Sequence, residues 1–133
     1  MPASLPNSTE DLRVSIAQLN ATYSGMDDAN VKRAVRSVSE SLGWASNEKG
    51  AFGRVIPEGA KVVIKPNFVL HANQGGGGLL PLITHPSMVA AVVEEALKSD
   101  LSQIIVGDAP VQGCDFKALL RSTGLEKWSS GLS

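Results

Sequence analysis

Cysteine is nearly absent: Cys114 is the only one in 133 residues. A single thiol excludes an intrachain disulfide, a CxxC redox pair and any iron–sulfur cluster held by four cysteines of this chain. It suits a reducing compartment. Aromatic residues are also scarce, at 5%, and the formal net charge is only −1. A nucleic-acid surface wants a basic stripe and stacking rings, so no nucleic-acid partner is expected. No apolar run reaches the roughly 18 residues of a membrane-spanning helix, so no membrane partner is expected either. The opening MPASLPNSTEDL has neither the basic nor the apolar segment of a secretory signal. A cytoplasmic protein is the expectation. No internal repeat is present.

What is there is a globular composition, 43% hydrophobic and 19% charged. Residues 1–10, rich in Pro, Ser and Asn, are predicted to be a disordered tail. Residues 11–133 read as a single α/β domain. Leu12–Leu19 alternates apolar and polar positions, the pattern of a strand. Asp27 or Asp28 can cap a helix to about Leu42, with Val31, Val35, Val38 and Leu42 on one face. Its cations Lys32, Arg33 and Arg36 read as an anion patch or, more simply, as a solvated face. Trp44–Gly59 reads as a polar connection. Lys61–Lys65 is a strand whose unalternating Val62-Val63-Ile64 predicts burial on both faces. Asn67 to Thr84 is long for a strand-to-helix loop, and Gly75–Gly78 loosen it. Thr84 or His85, with Pro86 next, caps a helix whose Met88, Val89, Val92 and Val93 face inward while Glu94 and Glu95 point away. Leu101–Gly107 is the next strand. Asp115 caps a last helix ended by Gly124, and the remainder trails off without a closing element.

This alternation predicts an α/β fold: a small, mostly parallel three- to four-stranded sheet with flanking helices and Rossmann-like layering. So few strands leave an exposed sheet edge. An added short strand, a second copy, or a longer protein of which this is the front part would each cover it, and the last is favoured.

In open α/β sheets ligands bind outside the carboxyl ends of the strands. That rule gathers Lys65 and Asn67, Gly107 and Asp108, and Thr84 and His85, with Gln18 and Asn20 as additions. Lys65 offers a cation or, if desolvated, a base. His85 can ligate a metal or carry a proton. Asp108 can bind a metal, orient the histidine or accept a proton. Asn67, Thr84 and Gly107 would contact a ligand, and N–H groups opening the helix favour an anion. A small anionic molecule, with or without a divalent metal at His85 and Asp108, fits this set. Plainer roles stand beside these. His85 can simply cap, Lys65 snorkel, Asp108 shape a turn and Asn67 bond its own loop. GGGG matches neither GxxxxGK[ST] nor GxGxxG, so neither a P-loop nor a dinucleotide fingerprint is supported. His71 is a further metal-ligand candidate, and Cys114 reads as structural.

The order VVIKPNFV, ITHPSMVAAVVEEAL, IIVGDAP and GCDFKALLRSTGL resembles the family called domain of unknown function 362, from about Glu58 to Leu125. The resemblance implies a longer α/β protein, in some members with a ferredoxin-type iron–sulfur module. It places the family's motifs on Lys65, Pro66, Asn67, Thr84, His85, Pro86, Gly107 and Asp108. The chain then reads as an incomplete family domain. Three functions are open: an anion-binding domain, catalytic or not, using Lys65, His85 and Asp108; a non-catalytic accessory domain acting through protein–protein association at its sheet edge, with a partner or as a homo-oligomer; and a redox accessory beside an iron–sulfur partner.

Overall fold

The computed structural model describes residues 13–19 and 25–132. The expected disordered tail at 1–10 and the strand end at Asn20 lie outside these residues. In order the chain forms α1 (Ala29–Ser41), β1 (Ala60–Ile64), a short 3-10 turn (Leu80–Leu82), α2 (Pro86–Ala96), β2 (Leu101–Val106), α3 (Phe116–Ser122) and α4 (Leu125–Ser129). No helix among the described residues is long and apolar enough to cross a membrane.

α1 begins where Asp28 accepts hydrogen bonds from the N–H groups of Asn30 and Val31, at 2.9 and 3.2 Å. Such a cap satisfies donors that the helix itself cannot. Val31 and Val35 bury one face against α2. Of the cations of α1, Arg33 is exposed and bonds Asn30 on its own helix, as a solvated face would have it, whereas Lys32 and Arg36 are committed to ion pairs. Lys32 bridges Asp27 and Glu94, both at 2.5 Å, and Arg36 pairs with Glu40 at 2.6 Å and approaches Glu95 at 3.9 Å. They hold α1 to α2.

β1 and β2 pair in parallel, from Lys61 opposite Gln103 to Ile64 opposite Val106, with α2 as the connection between them. Phe68, Ile83, Val89, Val93, Leu119 and Leu125 form the main core, with Ile64 and Ile104 packed on it. A second cluster of Val31, Val35, Ala51 and Ala91 lies between α1 and α2. The α/β architecture with helices packed on a small parallel sheet therefore stands.

Four expectations change. First, the described residues contain two strands, not three or four. Residues 13–19 form no strand. Arg13 donates to the Leu42 carbonyl at 3.2 Å, the hydroxyls of Ser15 and Ser41 bond each other, and Leu19 packs on the α1–α2 cluster. The segment is spent on the end of α1 and leaves Val14 and Ile16 exposed.

Second, β1 is not buried on both faces. Val62 and Ile64 turn toward the helices, whereas Val63 is 68% exposed and Ile105 46%. Third, Glu95 does not point away. It is buried, accepts from the Ala51 N–H at 2.8 Å and pairs with Lys98. The "polar connection" before β1 supplies that N–H and a fully buried Ala51. Fourth, α4 follows α3 directly. Gly124, at φ +76°, makes the left-handed step between them that other residues resist.

Candidate functional site

Pro66 cannot donate to a ladder, and the pairing of the two strands ends beside it with Gly107 N–H donating to Ile64 O at 3.1 Å. Beyond that point the two chains are joined by side chains. Lys65 Nζ sits 2.8 Å from Asp108 Oδ1. Asp108 Oδ2 accepts from the Phe68 N–H at 2.7 Å, and Oδ1 also accepts from the Ala109 N–H at 2.8 Å. The Asp108 side chain is 4% exposed and that of Lys65 is 67% exposed. The Lys65 bond first, then the Phe68 N–H, hold the Asp108 carboxyl below the usual range against the opposing pull of desolvation. The same Phe68 N–H fixes the direction in which the chain leaves the sheet, so Phe68 enters the core.

Asn67 and Thr84 meet across the base of the long loop. The Thr84 hydroxyl accepts from Asn67 N–H at 2.9 Å, and Thr84 N–H donates to Asn67 O at 2.7 Å. Phe68 bridges to Ile83, and Val69 N–H donates to Leu82 O at 2.9 Å. The loop is thus a closed excursion, not a slack linker. At its tip Asn73 accepts from Gly75 N–H at 2.9 Å and donates to Gly78 O at 2.7 Å. His71 Nδ1 accepts from Asp115 N–H at 2.9 Å, tying the loop to the start of α3. Cys114 is half-buried against the main core.

His85 caps α2. Its Nδ1 accepts from Ser87 N–H at 3.2 Å and contacts the Ser87 hydroxyl at 2.7 Å. A ring nitrogen that accepts holds a lone pair, so in the neutral ring the proton is assigned to Nε2. Met88 and Val89 N–H both donate to His85 O. The first-turn N–H groups expected to face an anion are therefore bonded within the cap. His85 also lines an open cleft of about 720 Å³ together with Met26, Leu79, Ile83, Lys127 and Trp128. Lys65, Asn67 and Asp108 do not line it.

The strand-end rule thus locates residues that the fold partitions. Lys65 and Asp108 are bonded, Asn67 and Thr84 are bonded, Gly107 closes the ladder, and His85 at the start of α2 lines a neighbouring hollow. Gln18 lies elsewhere, in a depression beside α1 with Asn30 and Arg33. No group of three His, Cys, Asp or Glu side chains placed to hold a metal ion occurs among the described residues. Lys127 and Trp128 escaped the sequence reading because α4 is only five residues long, too short for periodicity to register.

A family model described as "Domain of unknown function (DUF362)" matches residues 62–133, more than half the chain. The chain belongs to the DUF362 family. The matched span starts inside β1 and takes in Lys65, the closed loop, α2, β2 and Asp108, so the strand-tip pairs and the cleft residues from Leu79 onward all lie in the DUF362 region. α1 precedes the matched span, and its ion-pair partners Glu94 and Glu95 lie within it. Neither a curated protein nor a solved structure matches the chain.

Proposed function

We propose that this DUF362 chain is a ligand-binding domain that takes a small anion at the carboxyl edge of its sheet, with Lys65 and Asn67 as the contacting side chains. The Lys65–Asp108 pair carries the reading. The carboxylate is buried and divided among three donors, whereas the ammonium it steadies stands largely in solvent. An approaching anion meets the exposed cation before the shielded carboxylate, and an ammonium has donors to spare beyond the one Asp108 takes. Gly107 supports the reading by leaving open space beside the tip, since nothing lies within 4 Å of where its Cβ would stand. Proton transfer in this reading falls to Asp108, because His85 lines the neighbouring cleft. A cytoplasmic location belongs to the same reading and rests on the lone cysteine.

The test is calorimetric titration with inorganic phosphate and with citrate. Wild type should bind one of them saturably. Lys65→Met should weaken it at least about tenfold, the scale of one charge-assisted hydrogen bond, and Asn67→Ala should weaken it less. Equal binding by wild type and Lys65→Met would remove the proposal.

A second reading is favoured by a separate observation, the exposed apolar Val63 and Ile105 on the side of the sheet away from the helices. Here the domain acts by association. The finer architecture of three or four strands belongs to this reading, with strands added from a second copy of the chain.

A further inference from the structure

We propose that the cleft between α2, α4 and the 3-10 turn is a second binding site, for a monocarboxylate with an aromatic or branched aliphatic body. This goes beyond the strand-tip reading, because Lys65, Asn67 and Asp108 form no part of the cleft. At about 720 Å³ it lies within the range of sites that hold small organic molecules. Its walls come from Met26, Leu79, Ile83 and Trp128, so most of an occupant must be apolar. Its charge is one-sided: Lys127 lines it, and no acidic residue among the described residues does. Lys127 has no carboxylate partner among the described residues. A hydrocarbon would leave that cation unused. A phosphate or compact polyanion would leave the apolar wall facing water. An acid with an apolar body answers both.

The wall is preformed. Trp128 is half-buried and packed on the main core, and its main-chain N–H donates to Gly124 O at 3.0 Å, so the left-handed turn at Gly124 sets where its backbone starts. Opposite it, Ser87 holds the His85 ring in one orientation. Little ordering cost would then fall on binding.

Trp44 and Trp128 are the two tryptophans. The full chain carrying Trp44→Phe leaves Trp128 as the sole indole reporter. Phenylacetate should change its emission saturably, and calorimetry should give one site per chain. Lys127→Met should weaken phenylacetate about tenfold, by loss of one charge-assisted hydrogen bond, while leaving the neutral isostere phenylacetamide unaffected. Leu80→Asp, which puts a negative charge on an exposed lining residue, should weaken the acid and spare the amide. Lys65→Met should bind phenylacetate as wild type does, so failure of the strand-tip reading leaves this result intact. No saturable change with phenylacetate, or equal affinity in wild type and Lys127→Met, would overturn the proposal.

Discussion

Asp108 shows how one carboxylate can be read from the sequence as chemistry and still serve as a joint. Its place at the end of an apolar strand, before Ala-Pro, was legible, as was the place of Lys65. What the sequence could not show is that both oxygens are engaged by Lys65 and by two main-chain N–H groups. Its carboxyl is held below the ordinary value, so its contribution to stability is complete above about pH 3.9, the unfolded value, and is lost as pH falls through the lower folded value. Urea midpoints of wild type and Asp108→Asn should therefore differ most near pH 6 and converge toward pH 2 to 3. A gap that widens on acidification would contradict this. Glu95 was misread for a related reason. Helical periodicity ranks positions by angle and cannot reveal that the buried Ala51 N–H needs an acceptor. Burial pushes Glu95 up, but its bonds to Lys98 and the Ala51 N–H, with the charges of Lys98 and Arg36, outweigh that and hold it below the usual range. Glu95→Ala should cost about 1–3 kcal/mol in chemical denaturation, the penalty for stranding a buried donor.

Elements with strong local signals were placed well from sequence, namely α1 from its cap and valine spacing, α2 from His85-Pro86, and β1 and β2 from their apolar runs. Elements whose form depends on partners were not. Leu12–Leu19 has a strand's alternation but no ladder partner among the described residues, and α4 carries too few residues to announce itself. The connection before β1 looked merely polar, yet it folds back on α2 at Gly50. There φ is +77°, and an added Cβ would lie 2.9 Å from Glu95 O and from Lys98 Cδ. Gly50→Ala should therefore destabilise by more than about 1 kcal/mol, through both strain and contact. The packed side of the sheet and its open face should respond unequally to substitution. Leu119→Ala, in the main core, should cost about 2–5 kcal/mol. Val63→Thr, on the open face, should stay within about 0.5 kcal/mol. Thermal melts of the pair followed by circular dichroism decide this, and a large loss for Val63→Thr would mean that this face is covered in solution.

At the scale of the whole molecule, the helices build a core on one side of a two-stranded sheet, and the other side keeps its valine and isoleucine in water. The apolar composition of β1 and β2 announced two buried faces, as parallel sheets generally require. The sequence does not say which molecule supplies the second cover. If a second copy does, sedimentation coefficients should rise with concentration across the micromolar range, and Val63→Lys with Ile105→Lys should hold the chain as a monomer. A wild-type monomer at every concentration would end that reading. The open face also bears on how the folded chain is recognised at the bench. Environment-sensitive dyes brighten on exposed apolar surface, a response usually taken as a mark of loosened tertiary packing. Here a correctly folded chain should glow before any heating, so a dye-monitored melt would begin bright and show little rise, and a healthy preparation could be discarded as a damaged one.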